Sequence, residues 1–257
     1  MARLADSFDG LAADGDALTT DAPLDWAQGR TLYGGMTAAL CLAGGQKLVD
    51  APLRSAQFLF VGPASGSLRL EPTLLRAGRS SSMVGVDCMA DGALSARAQL
   101  AFGAARESRL DMAAPALDTT PPAPADCPAF IGPTGGFHDN FELRLAGGSP
   151  LVSGGASDFT VWVRYREPPG TDPTVALIAL ADALPPAAMG SFPVPAPIST
   201  VSWGLELAAI PANVDDWHLL RSSSEQSREG YSMQAMQLWD ASGRLLLAGR
   251  QLVSIFF

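Results

Sequence analysis

Asp172-Pro173-Thr174-Val175-Ala176-Leu177-Ile178-Ala179-Leu180-Ala181-Asp182-Ala183-Leu184-Pro185-Pro186 reads as one short helix with both ends marked. Asp172 is a good N-cap, Pro173 suits the first helical position, and the Pro185-Pro186 pair stops the helix after Leu184. Between those limits almost every side chain is apolar, so the helix must be covered on most sides. A second helix of the same kind lies upstream. It opens at Gly34-Gly35-Met36 and runs toward Leu48, ending at Gly44-Gly45 or shortly beyond.

Each helix is followed by four strand candidates. In the first half these are Ser55–Val61, Ser67–Leu75, Ser82–Met89 and Leu94–Phe102. In the second they are Thr200–Ala208, Trp217–Ser222, Tyr231–Trp239 and Arg244–Phe256. The last strand pairs match most closely. Met89-Ala90-Asp91-Gly92-Ala93-Leu94 parallels Trp239-Asp240-Ala241-Ser242-Gly243-Arg244-Leu245, and Arg97-Ala98-Gln99-Leu100 parallels Gly249-Arg250-Gln251-Leu252. Between the halves, Pro115, Pro121, Pro122, Pro124, Pro128 and Pro133 withhold amide donors and fix φ, which predicts a linker. The expected division is a first repeat over 1–110, a Pro-rich linker over 111–136 and a second repeat over 137–257. An antiparallel sheet curled around each apolar helix is the hotdog arrangement. The expected class is therefore α+β, a double hotdog of two repeats, each a central helix wrapped by an antiparallel sheet.

Composition removes many functions. Of 257 residues, 17 are Lys or Arg and 26 are Asp or Glu, a net charge of −9 that repels phosphate backbones and argues against nucleic-acid partners. The three cysteines, Cys41, Cys88 and Cys127, are far apart, which argues against a disulfide framework or a thiolate zinc site and suits a reducing cytoplasm. With only two histidines, His138 and His218, sites built on several imidazoles are excluded, and neither a metal nor a cofactor is expected. There is no GxSxG elbow, GxxxxGK[ST] loop or HExxH helix. The N-terminus predicts no secretory leader, and no stretch approaches the ~18 apolar residues of a membrane span. The expectation is a cytoplasmic protein whose chemistry comes from carboxylates, hydroxyls, amides or backbone.

Three residues stand out against apolar surroundings. Val175, Ile178, Ala179 and Asp182 share one helical face, where a carboxylate costs desolvation energy unless it is bonded or used. The alternative is that Asp182 turns to solvent at a fraying helix end. Gln251 interrupts the apolar alternation Leu245, Leu247, Gly249, Gln251, Val253, Ile255, and its amide needs partners there or at a sheet edge. Thr200 opens a strand, and simple alternation groups it with Ser202, Gly204 and Glu206 on the more polar face, where β-propensity alone accounts for it. Of the rest, His138 reads as a solvated loop residue and His218 as packing or surface. Arg76-Ala77-Gly78-Arg79-Ser80-Ser81-Ser82 reads as a hairpin turn, although a phosphate contact is a second reading.

Together these residues give a resemblance. From Arg30-Thr31-Leu32-Tyr33-Gly34-Gly35 through Ala179-Leu180-Ala181-Asp182 to Arg250-Gln251-Leu252, the chain resembles the acyl-CoA thioesterase II family of double hotdogs. The resemblance implies hydrolysis of fatty acyl-CoA to free acid and CoA by direct water attack. Asp182, Thr200 and Gln251 would be the catalytic residues holding the water, with Asp182 as general base. The sequence departs from the family after the threonine. Members commonly follow it with Asp-His and then an aromatic-His-Arg-Pro stretch, whereas Val201-Ser202-Trp203-Gly204-Leu205-Glu206-Leu207 contains no basic residue. Ser199 and Ser202 are thus substitutes for Thr200. Two other readings remain on the same fold: a silent acyl-CoA-binding protein, and an enoyl-thioester hydratase or dehydratase, which the lack of a histidine near either helix disfavours. Open sheet edges and the apolar run Leu245–Phe257 predict a homodimer.

Overall fold

The computed structural model describes residues 3–114, 117–130 and 135–257. Both predicted helices form. α1 spans Gly34–Gln46 and α2 spans Pro173–Ala181. The Asp172 carboxylate caps α2, accepting from the amides of Thr174 at 2.9 Å and Val175 at 3.1 Å. The helix ends three residues before the expected Leu184. Pro185 has no amide to offer the Ala181 carbonyl, so the last turn tightens and Ala183 N–H bonds Leu180 O at 3.0 Å instead. Among the described residues, no helix is long and apolar enough to cross a membrane.

The expected repeat, a helix and then four strands, is incomplete, because each half opens with a hairpin ahead of its helix. The first half carries β1 (Ala12–Asp14) and β2 (Ala17–Asp21), then a two-stranded ribbon of β3 (Ala27–Gln28) and β4 (Thr31–Leu32). After α1 come β5 (Leu53–Phe60), β6 (Ser67–Ala77), β7 (Ser82–Ala90) and β8 (Ala93–Phe102). The second half carries β9 (Phe141–Gly148) and β10 (Asp158–Tyr165) before α2, then β11 (Ile198–Leu207), β12 (His218–Arg228), β13 (Tyr231–Asp240) and β14 (Leu245–Ile255). Phe159, Val161, Val163 and Tyr165 of β10 are buried on alternate positions, a period-2 pattern present in the sequence.

Twelve of these strands make one antiparallel sheet in the order β1-β2-β6-β7-β8-β5-β11-β14-β13-β12-β10-β9. Read outward from the β5–β11 seam, the two halves are the same series. Register makes the equivalence specific: Phe58 pairs Trp203 across the seam, Ala98 pairs Phe58, and Gln251 pairs Trp203. Gln251 and Ala98 therefore occupy equivalent positions in the two halves, one residue off the sequence match of Gln99 to Gln251. Both helices lie against the inner face of this sheet and touch each other. A side chain at Gly35 would bring its Cβ within 2.6 Å of the Ala179 carbonyl, so only glycine permits that approach. The Tyr33 hydroxyl donates to the same carbonyl at 2.8 Å. This is a double hotdog.

The Pro-rich stretch is more than a tether. Residues 104–114 are exposed, but the Trp162 indole donates to Pro122 O at 2.8 Å. Leu145 N–H then bonds Pro128 O, and Phe130 N–H bonds Leu143 O. Cys127 is buried there against Trp162, Leu219 and Trp239. Short 3-10 turns occupy Pro124–Asp126 and Gly136–Asn140, while Pro115 and Pro133 lie outside the described residues. The chain's last strand is also not an edge: β14 lies between β11 and β13, and its apolar residues Leu246, Leu247 and Val253 are core.

Candidate active site

The early stop of α2 places Asp182 at the helix C-cap, with φ −95° and ψ 9°. Its carboxylate does not turn out to solvent at a frayed end; it is half-buried under the inner face of β14. There the Gln251 Nε2 donates to Asp182 Oδ1 at 2.9 Å. The other oxygen, Oδ2, faces the start of α1: a Cβ on Gly34 would lie 2.8 Å from it. Tyr33, the α1 N-cap residue, supplies no side-chain cap, and Thr37 is the first residue whose amide finds a helical acceptor, Tyr33 O at 3.0 Å. The preceding amides and the positive end of the helix dipole therefore point toward the carboxylate.

These surroundings act in opposite directions on the proton. Burial, the largest influence, pushes the Asp182 pKa up to about 7 from 3.8, while the Gln251 amide and the Gly35 amide stabilise the ionised form and pull it down. Near neutral pH the carboxylate is thus poised to accept a proton. Tyr33 beside it is held neutral, its pKa raised by its own burial and by the Asp182 charge.

Thr200 lies on the opposite face from the one alternation assigns. A bulge at Val201 breaks the register, so that Thr200 pairs Val253 while Ser202 pairs Leu252. One extra residue flips the pattern. Thr200 thereby joins Trp203 and Leu205 on the inner face, in the row next to Gln251, and the substitutes Ser199 and Ser202 fall on the other face. The structure thus joins Asp182 to Gln251 directly and brings Thr200 to the same face. Among the described residues, the Thr200 hydroxyl bonds neither of them.

The remaining candidates separate cleanly. His218 is 3% exposed, with Nδ1 2.8 Å from Asp216 O, and is structural. His138 is not a solvated loop residue. Its ring packs 3.8 Å from that of Phe137, which stacks at 4.0 Å on Tyr33, and burial lowers its pKa. The Arg76–Ser82 segment is the exposed β6–β7 turn, closed by Gly78 N–H on Ser81 O. Sequence reasoning missed Tyr33 and Gln234. The alternation Ser232, Gln234, Met236 on β13 carries the signal for Gln234, since it places an amide on an inner face.

Comparison with known proteins follows the same division of the chain. Residues 22–103 match the acyl-CoA thioesterase N-terminal domain, and residues 111–255 match the acyl-CoA thioesterase C-terminal domain. The chain belongs to the acyl-CoA thioesterase II family. No curated protein matches the sequence. A solved hot dog fold protein of unknown function from Alicyclobacillus acidocaldarius is 25% identical, with a TM-score of 0.89 over 100% of this chain and 99% of that one. A protein assigned as a thioesterase II from Thermobifida fusca is 21% identical, with a TM-score of 0.85 over 100% and 98%. An acyl-CoA thioesterase II from Mycobacterium marinum is 19% identical, with a TM-score of 0.77 over 96% of each chain. These likenesses show the hot dog fold over the whole chain, and the two family domains establish membership.

Proposed function

We propose that this protein hydrolyses the thioester of fatty acyl-CoA to free acid and CoA by direct attack of water. The observation that carries the reading is the half-buried Asp182 carboxylate, bonded to Gln251 at 2.9 Å and facing the uncapped start of α1. Asp182 takes a proton from a water held between it, Gln251 and the Thr200 hydroxyl. The hydroxide oxygen forms the new bond to the acyl carbon, and charge moves onto the carbonyl oxygen. Amides at the α1 N-terminus are the donors placed to receive that charge. Collapse expels the CoA sulfur, which takes the proton from Asp182 and restores the carboxylate. A base with a pKa near the working pH serves both halves of this cycle.

The test is thiol release across acyl-CoA chain lengths. Asp182→Asn keeps shape and the bond from Gln251 but cannot accept the proton, and is expected to lower kcat by ~10²–10⁴. Gln251→Ala removes positioning alone, and is expected to cost ~10-fold to ~10². Wild-type turnover by Asp182→Asn would overturn the mechanism. Binding of acyl-CoA without thiol release by the wild type would favour the silent binding protein, a reading that the segment Val201–Leu207 keeps in view.

The same reading includes a cytoplasmic location and a homodimer. Both sheet edges are protected within one chain: β1 has only three residues, and β9 is lined by Pro128–Phe130. Two copies would therefore meet through a face, not through paired edges. Light scattering at micromolar concentration is expected to give twice the chain mass, and a monomer alone would remove the homodimer.

A further inference from the structure

Gln234 is 2% exposed on the inner face of β13, directly opposite Gln251 of β14. Directly opposed residues of an antiparallel pair hold their Cβ atoms about 4.5–5.5 Å apart, so two amides stand side by side. They have different partners. Gln251 holds the Asp182 carboxylate, whereas Gln234 Oε1 accepts from the Ala187 amide at 2.7 Å. Ala187 N–H can only donate, which fixes Oε1 on that side and turns Nε2 toward Ser232 Oγ, 3.3 Å away. Ser232 is fully buried and lies 2.8 Å from Ser224 Oγ and 3.1 Å from Ser227 Oγ. A chain of hydroxyls running from exposed Ser227 inward thus ends on the Gln234 amide, whose orientation the Ala187 N–H fixes.

Between Asp182 and Ala187 lie Ala183, Leu184, Pro185 and Pro186. The two prolines fix their own φ and bias the residue before them, so this segment is stiff. One end is α2 and the other is the Gln234 bond. We propose that Gln234 is a positioning residue for the hydrolysis, clamping the exit of α2 so that the Asp182 carboxylate meets Gln251 and the water. It touches no reacting atom. The proposal rests on the reading of Asp182 as the base.

The test is a double-mutant cycle on the intact protein, assayed by thiol release from acyl-CoA. Gln234→Met conserves volume and removes the hydrogen bond. It is expected to lower kcat about 10-fold while KM stays within about two-fold, because the base is displaced and the binding surface is not. The rising limb of its pH–rate profile should move to higher pH, since Asp182 loses its contact with the amide that favours its ionised form. In a Gln251→Ala background the same substitution should cost less than about two-fold, because the pairing it serves is already gone. Ser232→Ala, a milder change, should shift kcat and the pH limb in the same sense if Gln234→Met does not fold. Additive losses in the cycle, or a lower melting temperature with kcat and pH profile unchanged, would overturn the proposal while the Asp182 reading stands. Full turnover by Asp182→Asn in the same assay would overturn the reading beneath it.

Discussion

Between the ordinary aspartate pKa of 3.8 and its shifted value of about 7, Asp182 holds a proton in the folded chain that it would release on unfolding. The native state therefore binds more protons over that window, and the contribution of this group to stability falls as pH rises. It is fully present below 3.8 and lost through about 7. Under the proposed mechanism catalysis runs the other way, since only the ionised form accepts a proton from water. Activity is thus expected to rise with pH along a limb centred near 7, readable as kcat/KM for a short acyl-CoA. Relative to the wild type, the melting temperature of Asp182→Asn, which never ionises, should rise from pH 5 to pH 8. A margin that does not change with pH would mean that Asp182 is ionised throughout. At this scale much was legible. A lone carboxylate on an aliphatic helix face and a lone amide in an apolar strand are each costly, and the structure shows that they satisfy one another. Gln234 carries the same signal on β13. What the sequence could not supply is the direction of the pKa shift, which depends on how burial balances against two donors.

Among the elements, the helices were readable because their ends are written in residues with one conformational meaning. Asp172 caps, Pro173 starts and Pro185 stops; the stop acts earlier than expected because the missing amide is felt four residues back, at Ala181. Thr200 went to the wrong face for an equally local reason. Alternation assumes an unbroken register, and the extra residue Val201 breaks it with no glycine or proline to announce the bulge. The hairpins before each helix escape the repeat because β1 and β2 are only three and five residues long. The Gly34-Gly35 pair, by contrast, has a meaning that only the packed helices reveal. Adding a Cβ at Gly35 would force α1 away from the Ala179 carbonyl, so Gly35→Ala is expected to cost about 1–3 kcal/mol by denaturant titration. Gly204→Ala is the control: its Cβ meets nothing within 4 Å, and its cost should stay within about 0.5 kcal/mol. Equal costs would show that helix contact does not depend on the glycine.

For the whole molecule, the two-half plan follows from one sheet repeated about a seam. β5 and β11 pair over Ser55–Leu59 and Ser202–Glu206, and a single core cluster runs through both halves. Duplication was visible in the closing turns, Asp91-Gly92 and Asp240–Gly243, because Asp and Gly at tight turns leave a mark that apolar strand residues do not. The asymmetry between the halves was not visible: Ala98 stands where the second half has Gln251, so the Asp182–Gln251 pairing is built on one side of the seam. We propose that the connection between the halves can be severed without separating them, since the seam and the core join them independently of the linker. Leu110 and Met112 are 86% and 93% exposed, whereas Pro122–Phe130 is bonded to β9 and β10. Limited trypsin digestion is therefore expected to cut first at Arg106 and Arg109, leaving two fragments that co-elute in size exclusion and retain thiol release. The docked stretch should stay protected until the fold is lost. First cuts within β8, or fragments that separate without denaturant, would show that the halves depend on the connection rather than on the seam.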